Sequence, residues 1–155
     1  MNSAAIALGS NLGDREAHLA FALHQLQDIL AGLRVSSWYE TAPVGVSSPQ
    51  PDFLNGVAVG QTTLDARALL DRLLAIEQAR GRTRPHDGAP RTLDLDLIFF
   101  GGEVIDQPGL RVPHPRFRER LFVLEPLSEI ASDWVDPVTG LTVGELLAGL
   151  KSRQR

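Results

Sequence analysis

Four apolar, strand-like runs alternate with two leucine-striped helical segments in the order strand, helix, strand, strand, helix, strand, which predicts an α+β fold of the ferredoxin-like βαββαβ type. In such a sandwich an antiparallel sheet carries helices on one face and leaves the other free for a site. The 155 residues suit a single domain over 1–155, and at 43% hydrophobic residues with no cysteine the core forms without disulfides.

Ala4 to Gly9 is a short apolar run closed by glycine, as expected of a buried strand, and the loop Ser10–Gly13 follows. Asp14 is a good N-cap, after which Leu19, Leu23, Leu26, Leu30 and Leu33 recur at steps of four and three. That stripe predicts an amphipathic helix, which Gly32 helps to end. Val35 to Tyr39 reads as the second strand. Thr41 to Asp52 holds Pro43, Pro49 and Pro51 with Gly45 and reads as a loop. Phe53 to Thr62 is the third strand. Thr63 or Asp65 can cap a second helix with Leu69, Leu70, Leu73, Leu74 and Ile76 on one side and Gly81 at its close. Leu93 to Phe100 is the clearest strand, turned by Gly101 and Gly102 into Val104-Ile105. The remainder predicts extra short C-terminal elements: a Pro-rich loop at Val112–Pro115, an apolar stretch from Leu121 to Leu127, and a last helix opened by the capping box of Thr142 and Glu145.

The absence of cysteine removes thiolate chemistry and fits a reducing compartment. With no basic leader and no apolar run long enough for a bilayer, a cytoplasmic protein without membrane contact is expected. A net charge of -4 argues against nucleic-acid binding. The positive charge is nevertheless concentrated: Arg80, Arg82, Arg84, Arg91, Arg111, Arg116, Arg118 and Arg120 suit the binding of one small anion.

The chemistry is expected where Arg91-Thr92-Leu93-Asp94-Leu95-Asp96-Leu97 enters the last strand. Alternate residues of a strand share a face, so the leucines go to the core and Asp94 and Asp96 to the other side. Two carboxylates about 7 Å apart on a rigid strand repel each other, a cost a cation between them relieves. Hard oxygen ligands favour Mg²⁺. On spacing alone an exposed edge strand with solubilising acids is an equally good reading. Arg82, Arg84 and Arg91 beside the pair tilt it towards a metal-polyphosphate complex. No phosphate-binding G-x-x-x-x-G-K-[ST] loop is present, so side chains must hold the nucleotide.

Glu77 falls at the border of the second helix's buried stripe, where it could orient an arginine or a nucleotide or simply be a solvated edge. His114, between two prolines, is the best ligand candidate among the four histidines; His18 and His24 read as surface residues, and His86 could reach the site on loop closure. Phe53 and Asn55 place a ring and a polar edge reader on one strand face, although a phenylalanine is more often core. Thr41 and the backbone of Val44-Gly45 could add contacts.

Six ordered segments together resemble the 6-hydroxymethyl-7,8-dihydropterin pyrophosphokinase family of folate biosynthesis: Ala7–Asp14, Tyr39–Pro43, Asp52–Asn55, Gly81–Arg84, Pro90–Leu97 and Val112–Pro115. The resemblance implies a ferredoxin-like fold and transfer of pyrophosphate from ATP to the pterin hydroxymethyl group, with release of AMP. It implies two Mg²⁺ ions on Asp94 and Asp96, transfer-stabilising roles for Arg82 and Arg91, and ATP contacts from Glu77, Arg84, His114 and Arg120. Thr41, Ala42, Val44, Phe53, Asn55 and Phe122 would form the pterin pocket. ATP and the pterin are then the only partners expected, on a monomer. Ala42, Phe53 and Pro115 stand where the family pattern often has proline, tyrosine and tyrosine, which predicts altered affinity with the metal chemistry kept.

Overall fold

The computed structural model describes residues 1–43, 49–81 and 92–154. Strand β1 (Asn2–Ser10) is central, as its almost unbroken apolar run requires, and pairs antiparallel with β4 (Phe53–Thr62) and β5 (Asp94–Phe100). Strand β2 (Ala31–Val35) pairs on the outer side of β4, giving the order β2-β4-β1-β5, and the short β3 (Tyr39–Thr41) also pairs with β4. A separate two-stranded ribbon joins β6 (Ile105–Gln107) to β7 (Leu110–Val112). The chain is thus α+β, an antiparallel sheet with four α-helices among the described residues.

Helix α1 (Arg15–Leu26) is capped by Asp14, whose carboxylate accepts the Ala17 amide at 3.1 Å, and α2 (Ala66–Ala79) by Asp65, which accepts the Ala68 amide at 2.8 Å. Their apolar sides pack Leu19, Ala22, Leu26, Leu69, Leu73 and Ile76 onto Ile6, Leu8, Leu95 and Leu97 of the sheet. Each leucine or isoleucine among them, removed from water, contributes roughly 1.5–3 kcal/mol before entropy is counted.

The expected continuation of the α1 stripe does not hold. The helix ends at Leu26, Leu30 is buried in the turn that follows, and Gly32 lies inside β2 at φ +64°. The expected strand from Val35 to Tyr39 is split in two. Ser36 makes the step by exchanging hydrogen bonds with Val57, its hydroxyl accepting the Val57 amide at 2.9 Å. On α2, Leu74 is 45% exposed, because the helix buries Leu69, Leu73, Ile76 and Glu77 instead.

The larger correction concerns the second face of the sheet, which was expected to be free of helices. Helices α3 (Leu121–Ala131) and α4 (Val143–Arg153) lie against it, burying Val123, Leu124, Leu127, Val143 and Leu150 with Ala5, Val57, Val59, Ile98 and Phe99. The C-terminal elements are therefore not short. A bulge at Ile98 assists, since the register slips between Ala5 and Ile6 and presents Ile98 and Phe99 to this second core. Phe117, in a single 3₁₀ turn, stacks edge-on against Phe99 at 4.9 Å between ring centres. Arg118 beside it is bound to the buried Asp136, which also accepts from the Thr139 hydroxyl and the Val138 amide. Burial pushes the Asp136 carboxyl up, and these donors more than reverse it, leaving it below the usual carboxylate range. The Thr142–Glu145 capping box opens α4 as expected. Beyond this packing the face ends in the half-buried Asp94 and Asp96, beside the buried Gly9 and Asn55.

Candidate active site

Register alone brings the sequence candidates together. Gly9 of β1 faces Asn55 on one side and Asp94 on the other, and Ala7 likewise separates Val57 from Asp96. Tyr39 and Thr41 of β3 extend these rows beyond Asn55 and Phe53. Asn55 and Asp94 therefore sit two strand spacings apart, about 10 Å, on one face. The two β1 residues between the rows are the smallest available, so the floor between the amide and the carboxylates is low. Leu93, Leu95 and Leu97 are buried on the helix side, as strand alternation predicts, and Asp94 and Asp96 are half-buried on the other.

Glu77 is 5% exposed, and its carboxylate accepts the Leu95 amide at 2.7 Å. Strand β5 is a sheet edge, so the amide between the two aspartates points away from β1 and is met by α2. His114 donates its backbone N–H to Ile98 O at 3.0 Å, and its Nδ1 accepts the Arg116 amide at 3.1 Å. The ring is thereby held as the Nε2–H tautomer. Burial, with Arg120 and Arg116 adding to it and Asp94 opposing, pushes its pKa down to about 4. His114, Arg120 and Asp94 are thus electrostatic neighbours. Arg120 lies over the half-buried Phe122 ring at 5.5 Å, at the start of α3.

On the other flank, Asn55 is 7% exposed and its Nδ2 donates to Thr41 Oγ1 at 2.5 Å. Ala42 is exposed one residue on. Strand β3 is pinned to α3: Glu129 accepts from the Ser37 amide and hydroxyl and from the Tyr39 hydroxyl at 2.9 Å. The Ser37 amide is the main cause of a lowered Glu129 pKa; burial followed by Glu129 raises that of Tyr39. Of the predicted site residues, Val44, Arg82, Arg84 and Arg91 lie outside the described residues, as does His86.

Three contributors escaped the sequence reading. Asn11, 1% exposed, donates to Gln50 Oε1 at 3.1 Å and Pro51 O at 3.2 Å and anchors the chain just before β4. The only hint was a polar residue at the end of an apolar strand. Glu129 and the close approach of Asn55 to Gly9 depend on pairing between distant segments and leave no local signal. Several arginines counted as an anion cluster are engaged elsewhere: Arg80 donates to His18 Nδ1 at 3.0 Å and lies over Phe21, and Arg118 binds Asp136.

The family model described as 7,8-dihydro-6-hydroxymethylpterin-pyrophosphokinase (HPPK) matches residues 5–132. A protein of Synechocystis named 2-amino-4-hydroxy-6-hydroxymethyldihydropteridine pyrophosphokinase is 45% identical over 94% of this chain and 75% of its own length. One of the same name from Bacillus subtilis is 49% identical over 83% of this chain and 78% of its own. A crystal structure of Plasmodium falciparum HPPK-DHPS superposes with a TM-score of 0.81 over 99% of this chain. At 16% identity that likeness concerns the fold, and this chain spans 45% of the Plasmodium chain. With a family model over most of its length and relatives above 40% identity, the chain belongs to the 7,8-dihydro-6-hydroxymethylpterin-pyrophosphokinase (HPPK) family.

Proposed function

We propose that the chain transfers the β,γ-pyrophosphate of ATP to the hydroxymethyl group of 6-hydroxymethyl-7,8-dihydropterin, giving the pterin pyrophosphate and AMP in folate biosynthesis. The observation that carries this reading is the pairing of Asn55 with Gly9 and of Gly9 with Asp94, which sets a polar edge reader and a carboxylate pair on one low-floored sheet face. The alcohol oxygen attacks the β-phosphorus, the bond from that phosphorus to the α,β-bridging oxygen breaks, and the oxygen leaves with AMP while the alcohol proton is lost.

Asp94 and Asp96 would hold two Mg²⁺ ions. Among the described residues no group of three or more histidine, aspartate or glutamate side chains converges, and a two-carboxylate set fits a cation that takes its remaining oxygens from phosphates and water. When bound, Mg²⁺ supplies charge neutralisation along the triphosphate. Phe53, Phe122 and Asn55 with Thr41, Ala42 and Val44 would receive the pterin. Glu77, His114, Arg120 and Arg84 would hold ATP, with the neutral His114 offering its Nε2–H as a donor. Arg82 and Arg91 would stabilise the transferring group, a role that rests on family position. Catalysis is then alignment plus electrostatics.

The strand order β2-β4-β1-β5 supports a ferredoxin-like description once β3 is set aside as an addition. No described helix is long and apolar enough to cross a membrane, and the net charge of -4 argues against a nucleic-acid partner; a cytoplasmic monomer acting on small molecules is part of the same proposal. The test is substitution: Asp94→Asn and Asp96→Asn each lower kcat by on the order of 10³-fold, the loss of several kcal/mol of metal stabilisation. Circular dichroism should remain that of the wild type. Full turnover in either variant would remove the metal assignment.

A further inference from the structure

Resting on the proposed function, we infer that Glu129 is a positioning residue that braces β3 against α3 and so sets the spacing of the two walls between which the pterin is proposed to sit. Phe122, Glu125 and Glu129 are three and four residues apart, so they share one side of α3. That side faces β3, since both carboxylate oxygens of Glu129 are taken up by the chain entering and forming the strand. Oε1 accepts from the Tyr39 hydroxyl at 2.9 Å, and Oε2 accepts from the Ser37 amide and the Ser37 hydroxyl, each at 3.0 Å. Phe122 stands on the helix that Glu129 ties down, and Thr41 and Ala42 follow Tyr39 by two and three residues. One carboxylate therefore links the element carrying one proposed wall to the element carrying the other.

Strand β3 needs such a brace. It is three residues long and pairs with β4 through Tyr39 opposite Asn55, Glu40 opposite Leu54 and Thr41 opposite Phe53, too short a ladder to hold an edge firmly by itself. Alternation sends Tyr39 and Thr41 to the site face and Glu40 to the other, where Arg15 of α1 donates to the Glu40 carboxylate at 2.8 Å and to Asp52 O at 3.0 Å. The strand is thus gripped from both sides. Loss of Glu129 leaves Arg15 to keep β3 in the sheet while releasing its position against α3. Glu129 is exposed, so its replacement removes no core packing. Tyr39 is the single tyrosine of the chain, and Glu129 stands after burial among the causes of its raised pKa, with Glu125 adding to it. Its titration therefore reports on the brace.

The experiment compares wild type, Glu129→Ala, Tyr39→Phe and the double variant. Calorimetry with Mg²⁺ measures the affinity for a non-hydrolysable ATP analogue and then, with that analogue present, for 6-hydroxymethyl-7,8-dihydropterin. Tyrosinate absorbance is followed through an alkaline titration of wild type and Glu129→Ala. Pterin affinity should fall about fivefold in Glu129→Ala and about threefold in Tyr39→Phe, the scale of hydrogen bonds to an exposed carboxylate. The double variant should lose no more than Glu129→Ala, because the Tyr39 arm is already gone there. Affinity for the ATP analogue should stay within about twofold throughout, since that ligand is proposed to lie on the aspartate side. In Glu129→Ala, Tyr39 should titrate closer to the ordinary tyrosine value. Unchanged pterin affinity in the single variants, additive losses in the double variant, an unmoved tyrosinate titration, or an equal loss of ATP-analogue affinity each overturns the inference. If Glu129→Ala fails to fold, Tyr39→Phe decides by the comparison of pterin with ATP analogue. A wild-type protein that binds no pterin overturns the proposed function itself, and the inference falls with it.

Discussion

His114 shows how one backbone hydrogen bond fixes a side chain's chemistry. Its Nδ1 accepts the Arg116 amide, so protonation would put two donors face to face, and burial beside Arg120 adds to the cost. The folded pKa of about 4 lies below the ordinary 6.5, so the stability that the neutral ring contributes is complete above pH 6.5 and is lost as pH falls from there to about 4. Denaturant unfolding at pH 7 and pH 4.5 should show a smaller acid loss in His114→Gln than in wild type; equal losses would show that the ring is not titrating in that window. Single residues were unequally legible in the sequence. Asp94 and Asp96 were readable because strand alternation is local and their leucine neighbours named the core side. The inward turn of Glu77 was not, because it depends on an amide eighteen positions away, Leu95.

Among the elements, β5 carries the most consequence, since an edge strand holds both aspartates. Glu77 ties the amide between them to α2, and its replacement tests that tether. Glu77→Ala leaves the Leu95 amide without its carboxylate acceptor in a buried place and should cost about 1–3 kcal/mol. The Leu95 amide should also exchange its proton faster by native-state hydrogen exchange. Glu77→Gln retains an acceptor oxygen and should protect that amide nearly as well. Exchange unchanged in Glu77→Ala would mean the tether does not hold the strand. The starts of α1, α2 and α4 were legible because Asp14, Asp65 and Thr142 are local caps, each with its amide partner three residues on, whereas α3 begins after Arg120 with no side-chain cap and read only as an apolar stretch. The end of α1 was not, because the leucine spacing runs on through Leu30 and Leu33 while tertiary pairing claims Ala31–Val35 for β2. The same competition split the expected strand at Ser36.

Over the whole molecule, the three inner strands β4, β1 and β5 are buried on both faces along most of their length, and the half-buried aspartates at one end of β5 mark the candidate site. The signal for the second layer was present in the unbroken apolar runs Ala4–Leu8, Val57–Val59 and Leu97–Phe100, since a strand with one wet face alternates. The bulge at Ile98, which turns two successive residues to the second core, leaves no comparable trace. Packing by α3 and α4 covers the hydrophobic half of the face and ends where Gly9, Asn55 and the aspartates begin. Under the proposed function, this end of the sheet moves a pyrophosphate between two small molecules. That function is tested most directly by incubating the purified chain with ATP, Mg²⁺ and 6-hydroxymethyl-7,8-dihydropterin and separating the nucleotide products. AMP should form only when pterin and metal are both present, in equal amount to a pterin pyrophosphate. ADP as the product, or AMP formed without pterin, would contradict it.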